Sequence, residues 1–186
     1  MYYVRYADDF VLMFQHGWEA KEVLEELKAR LGKFGLEVAE DKTRVLPFGR
    51  CEGTPDRFDF LGFTYFNSKT KEGKYRLGVQ TSKKRLRAKE QAVKKWLRSR
   101  RTKPLKETME TIRSALIGHN NYYGINGNAK VVGNFYDYVK CACHRMLNKR
   151  GQKGKYRWDK FIRIWDFYVR KPRVTVNIWN WKPMPA

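Results

Sequence analysis

The sequence predicts an α+β chain, with short strands up to about residue 80 and helices beyond it. Three observations carry this. Apolar residues alternate with a period of two on both sides of Asp8 and Asp9. From residue 82 the spacing changes to the threes and fours of amphipathic helices. The charge divides near the same place. Residues 1–66 hold 9 basic and 12 acidic side chains, whereas residues 67–186 hold 31 basic and 7 acidic.

Val4 and Tyr6 precede the two aspartates, and Phe10, Leu12 and Phe14 follow them. This predicts two strands joined at a tight turn that contains both aspartates. Ala20, Leu24, Leu27, Leu31 and Phe34 then share one helical face over Trp18–Phe34, with Gly35 as the C-terminal stop. Short strands are expected at Leu36–Ala39 and Thr43–Phe48, and a turn-rich stretch at Gly49–Arg57. Phe58–Phe66 reads as one strand, paired with Lys74–Gln80 across a polar loop. Leu86, Val93 and Leu97 mark a narrow apolar seam on a very basic helix. Pro104 ends the connection after it. Leu105, Met109, Ile112 and Leu116 make a second helix face, and Val132, Phe135, Val139, Ala142 and Met146 a third. After a linker at 151–155, Trp158, Phe161, Ile162, Trp165 and Val169 make a shorter fourth face, stopped near Pro172. VTVNIWNW, residues 174–181, fits a short strand or an aromatic tail. There are no repeats.

A chain of 186 residues can bury a real core. No run of about 18 apolar residues exists, so no transmembrane helix is expected, and the N-terminus does not read as a signal peptide. Three cysteines are too few for a disulfide framework, so a reducing cytosol is the default compartment. The net charge of +21 predicts a polyanionic partner bound through phosphate neutralisation and counterion release. A membrane-surface role needs a broader apolar helix face than the basic region offers.

Two adjacent carboxylates repel each other. A divalent cation such as Mg²⁺, which prefers carboxylate oxygens and leaves room for phosphates, compensates that repulsion. A polar hairpin turn with no ligand accounts for the same two residues.

Tyr6-Ala7-Asp8-Asp9 between hydrophobic strands resembles the palm hairpin of reverse transcriptases. GLEVAEDKT (35–43), FDFLGFTYF (58–66) and IGHNNYYGI (117–125) extend the likeness to group II intron-encoded reverse transcriptase/maturases. The last of these resembles the core of the maturase-specific domain. The likeness covers most of the chain and fades after residue 150. It implies the C-terminal part of such a protein: end of palm through residue 80 with the primer-grip strand, a helical thumb/maturase region over 81–150, and a basic aromatic tail over 151–186. It implies a two-Mg²⁺ site in which Asp8 is a ligand and Asp9 a ligand or neighbour, completed only by an upstream aspartate absent from this sequence. Tyr6, Ala7, Phe60, Leu61 and Gly62 would lie near the primer or nucleotide. Lys42 would stand near the leaving pyrophosphate, although a solvated lysine explains it equally well. The implied partners are group II intron RNA, an RNA–DNA template–primer duplex, and fingers and upstream palm supplied as a separate chain. The implied place is bacterial cytoplasm at the nucleoid, or an organellar matrix, and not outside the cell. The chain alone is expected not to polymerise DNA. The alternative is a free-standing RNA-binding, splicing-assisting module with vestigial carboxylates.

Residues 83–106 hold twelve Lys or Arg and one Glu. Lys83, Lys84, Arg85, Arg87, Lys89, Lys94, Lys95, Arg98, Arg100 and Arg101 surround a helix that like-charge repulsion weakens and a polyanion would relieve. Asn120, Asn121, Tyr122 and Tyr123 suit unpaired bases and 2′-hydroxyls, although packing of both tyrosines in the core, with Asn120 capping the helix, is the simpler reading. In the tail, Trp179 and Trp181 alternate with basic residues, which suits single strands, while Trp158 and Trp165 are expected in the core. Cys141-Ala-Cys143-His144 lacks the spacing and the second ligand pair of a zinc site.

Overall fold

The computed structural model describes residues 1–50, 57–150 and 156–178. The element order is β1 (Tyr2–Tyr6), β2 (Asp9–Met13), α1 (Gly17–Gly32), β3 (Arg57–Phe60), β4 (Phe63–Lys69), β5 (Tyr75–Thr81), α2 (Lys83–Ser99), α3 (Leu105–Tyr123), α4 (Ala129–Asn148) and α5 (Trp158–Tyr168). The mixed α+β class follows directly. The chain divides into two compact units, residues 1–61 with 65–78, and residues 62–64 with 79–186.

In the first unit, β1 and β2 pair antiparallel, with Tyr6 opposite Asp9 and Tyr2 opposite Met13. The expected strand-turn-strand is present, but Asp9 belongs to β2. The two-residue link is Ala7–Asp8, the commonest way to join antiparallel strands. Helix α1 ends as expected. Leu36 N–H donates to Leu31 C=O at 3.0 Å and Gly35 N–H to Gly32 C=O at 3.1 Å, with Gly35 at φ +67°. This pair of bonds with a left-handed residue is a Schellman cap. The strands expected at Leu36–Ala39 and Thr43–Phe48 do not form. Extended chain becomes a strand only with a ladder partner, and among the described residues these segments have none. The expected single strand Phe58–Phe66 is two strands, broken at Leu61–Gly62, where both residues have positive φ (49° and 78°). Positive φ at both central positions is the signature of a type I′ hairpin turn. The expected pairing with residues 74–80 is present as β4 beside β5, in the order β3-β4-β5. Their connections are too short for parallel crossovers, so the sheet is antiparallel. Most of the turn-rich stretch, including Cys51, lies outside the described residues.

The second unit carries the main core. Leu97, Met109, Ile112, Phe135, Val139, Cys143, Leu147, Phe161 and Trp165 form one cluster, reached by every one of α2 to α5. The helical faces read from spacing are the buried faces here, with Leu116, Val132 and Met146 also buried. Ala142 is only half-buried. Trp165 is fully buried and its indole N–H donates to the Tyr136 hydroxyl at 2.7 Å. Trp158, the first residue of α5, is 44% exposed rather than core. It packs edge-on to His144 instead. Of the C-terminal segment, Val176 makes an isolated bridge to Ile125. Trp179 and Trp181, like the linker at 151–155, lie outside the described residues.

Asn128, wholly buried, was not singled out by the sequence. Its side-chain amide donates to Thr81 Oγ1 and to Tyr123 C=O, and its Oδ1 accepts from Thr81 N–H, each at 2.8 Å. It ties the end of β5 to the end of α3 and the start of α4.

Candidate functional site

The β1–β2 hairpin places Asp8 in the turn and Asp9 at the first position of β2. Ala7 has φ +51°, a left-handed conformation that costs a residue with a Cβ roughly 1–2 kcal/mol. Arg5 Nε donates to Ala7 C=O at 2.8 Å and braces the turn. Both aspartates are exposed, and neither is in an ion pair among the described residues. Tyr6 is 67% exposed beside them. Two adjacent carboxylates with uncommitted oxygens are hard donors of the kind Mg²⁺ prefers, so the donor chemistry fits. The number does not suffice alone: no group of three or more His, Cys, Asp or Glu that could hold a metal ion occurs among the described residues.

Lys42 is exposed and sits in a backbone turn, its N–H donating to Ala39 C=O at 3.0 Å. No hydrogen bond or ion pair among the described residues links it to the hairpin. Phe60 ends β3, and Leu61 and Gly62 are the turn before β4. A Cβ added at Gly62 would stand 2.9 Å from the Tyr123 hydroxyl, and Gly62 C=O accepts from Ser82 N–H at 2.9 Å. Local packing thus gives this glycine a reason independent of any substrate.

The basic helix α2 lies on its apolar seam: Leu97 is buried, and Leu86, Val93 and Trp96 pack against the core. Lys83, Lys84, Arg85, Arg87, Lys94, Lys95 and Arg98 are exposed on it, and Arg101 follows just beyond its end. None of these eight is in an ion pair among the described residues. Arg100 differs: it pairs with Glu107 at 2.5 Å and lies over the Trp96 ring, so its charge is already committed within the protein. Lys89 also turns inward. Its ammonium is 3.2 Å from His119 Nδ1 and 4.5 Å from the Tyr123 ring centroid, and burial holds its pKa below the ordinary lysine value.

Near the end of α3 the four polar and aromatic residues separate. Tyr123 is buried, and burial raises its phenol pKa. Tyr122 is 53% exposed and stacks on Phe63, so only one of the pair is core. Asn120 is half-buried and makes no side-chain cap; its backbone C=O accepts from Gly124 N–H. Asn121 is exposed. His119 is 5% exposed, its ring tilted against those of Phe135 and Tyr123. Burial first, and the Lys89 charge second, hold its pKa down to about 4. Sequence spacing placed His119 among polar neighbours; only its position three residues after Leu116 signalled the inward face.

The Cys141–His144 group is part of no cluster of three or more His, Cys, Asp or Glu among the described residues. Cys143 is fully buried, and burial pushes its thiol up to about 12, so it stays protonated and inert. His144 is occupied by Tyr156 C=O at 2.9 Å. No helix among the described residues is long and apolar enough to cross a membrane.

Comparison with known proteins bears on residues 1–65, most of which belong to the first unit. No curated protein and no solved structure gives a match. Residues 1–65, the segment that carries the aspartate hairpin, match the family model of reverse transcriptase (RNA-dependent DNA polymerase), which supports a relationship to that family.

Proposed function

We propose that the chain is part of a group II intron-encoded reverse transcriptase/maturase, and that its helical unit binds structured RNA. The observation that carries the binding is the set of eight exposed, unpaired cations on and just after α2. Such a surface gains affinity from phosphate neutralisation, and among the described residues no carboxylate is in an ion pair with any of the eight. Arg85, Arg87, Arg98 and Arg101 add forked donors suited to phosphate. Intron RNA and a template–primer duplex are the polyanions that fit the reading. The test is RNA affinity measured across ionic strength. Log affinity should fall steeply and linearly with log salt, with a slope of about −0.7 to −0.9 per phosphate contacted. A flat response would sink the reading.

For the first unit, the family match supports a polymerase role. Asp8 and Asp9 would hold divalent cation together with a carboxylate from outside the described residues. When bound, paired Mg²⁺ ions activate the attacking oxygen and neutralise charge on the phosphates. The chain itself contributes a turn braced by Arg5, which fixes where the two carboxylates point. Tyr6 and Ala7 would flank the primer terminus, and Lys42 the departing pyrophosphate. That no third acidic ligand joins them among the described residues favours a second reading, in which the carboxylates are vestigial and only RNA binding remains. Complementation decides between them. Adding fingers and upstream palm as a separate chain should restore Mg²⁺-dependent primer extension, and Asp8→Ala should abolish it. Equal extension by Asp8→Ala and its parent would end the metal assignment.

A further inference from the structure

A cleft of about 270 Å³ opens between the C-terminal half of α3, the start of α4 and the segment after α5. It lies wholly within the second unit. Three cations line it, Arg113, Arg170 and Lys171, and no carboxylate does. All three are exposed and outside any ion pair among the described residues. Buried Leu116, Val132 and Val169 supply apolar wall, and Asn121 an exposed amide. This combination of apolar wall and few polar groups is that of a small-ligand site, near the low end of the usual ~300–1,000 Å³.

His119 adds an independent indication. It lines the cleft while 5% exposed, and its Nε2 has no hydrogen-bond partner among the described residues. Its other ring nitrogen, Nδ1, faces the Lys89 ammonium at 3.2 Å. An ammonium has only protons to give, so Nδ1 accepts and the proton of the neutral ring sits on Nε2. The tautomer therefore leaves a buried N–H donor with nothing to bond, which is costly unless a ligand supplies an acceptor.

We propose that this cleft takes one unpaired nucleotide of an RNA strand, its phosphate on Arg113, Arg170 and Lys171 and its base against the apolar wall, with a base acceptor toward His119 Nε2–H. A bare phosphate satisfies the cations, and its oxygens can accept from the histidine, but it leaves the apolar wall unused. A paired nucleotide turns its base into a cleft only at the cost of unpairing and unstacking, a few kcal/mol that an unpaired one does not meet. The proposal rests on the RNA-binding reading above, but it uses residues separate from the α2 cations.

The experiment uses the full chain, a short single-stranded RNA and a blunt RNA duplex of the same length. Ile117→Trp fills the cleft from a half-exposed position, and Arg170→Ala with Lys171→Ala removes two of its cations. Each variant should weaken the single strand about tenfold, as expected for losing one seated base, and change duplex affinity by less than about twofold. In the parent, the His119 ring resonances should move on adding the single strand, and stay in place with the same concentration of inorganic phosphate. Parallel loss of both affinities would assign these residues to the general cationic surface and overturn the proposal. Phosphate moving His119 as far as the strand does would reduce the cleft to an anion site. No loss in the cleft-filled variant would also end it. If the parent binds neither RNA at any salt, the RNA reading itself has failed, an outcome distinct from loss of the cleft alone.

Discussion

At the scale of single residues, His119 shows how burial decides chemistry. Its neutral form is preferred in the folded chain, because the site is desolvated and Lys89 stands beside it. The sign of the pH effect follows. Above about 6.5 the ring is neutral in both folded and unfolded states, and its contribution is fully present. As pH falls below 6.5 the unfolded chain takes up the proton first, so stability declines until pH is near 4, where the folded ring also protonates. The loss over this window is at most about 3 kcal/mol. Urea unfolding from pH 7.5 to pH 4 should show it in the parent, and His119→Gln should remove that part of the slope. Identical slopes in the two proteins would show that His119 is not the responsible group. Gly62 is a second case. It reads from sequence as a residue near the primer, yet it sits at φ +78° with the Tyr123 hydroxyl where a Cβ would go.

At the scale of elements, α2 is two surfaces with opposed demands. Its seam is narrow, and the remaining circumference carries like charges three and four residues apart. Such pairs destabilise a helix by roughly 0.2–0.5 kcal/mol each. The helix forms because Leu97, Trp96, Val93 and Leu86 pack on the core, outweighing that repulsion. Lys94→Glu separates the two demands. It turns the i, i+4 repulsion from Arg98 into an attraction but also turns the i, i+4 attraction from Glu90 into a repulsion, so thermal stability should change by no more than a few tenths of a kcal/mol. RNA affinity should fall, and the salt slope should shrink by about 1. A variant with affinity lowered and stability lowered well beyond that would mean Lys94 packs rather than binds. The hairpin makes a parallel point. Ala7 holds a left-handed conformation while both strands remain largely exposed, so its geometry depends on the ladder and the Arg5 bond.

At the scale of the whole molecule, stability is unevenly placed. No residue in 1–50 is buried, and Tyr2, Tyr6, Trp18, Phe34 and Leu36 are all more than half exposed. The large fully buried side chains, including Trp165, Phe161, Leu97 and Met109, belong to the second unit. Local opening free energy tracks buried apolar contact. Amides of β1, β2 and α1 should therefore exchange with solvent at far lower protection than those of α3 and α4 in native-state hydrogen exchange. Uniform protection across the chain would contradict this distribution. Exposed apolar surface of this extent also predicts self-association that rises with concentration, measurable by light scattering.

The amphipathic faces of α3 and α4 and the cationic skin of α2 were legible in the residues, because spacing and composition fix them locally. So was the two-strand turn at the aspartates. The strand break at Leu61–Gly62 was not, since a continuous apolar run carries no mark of where a two-residue turn interrupts it. The failure of 36–39 and 43–48 to become strands was equally hidden, because a strand exists only if another segment arrives to bond with it. The separation of Tyr122 from Tyr123, and of Arg100 and Lys89 from the other cations, depended on which side of a helix met the core. That is the division for this protein: residue order determined which surfaces are apolar or charged, and only packing decided which charges were left free and where a buried histidine meets an open cleft.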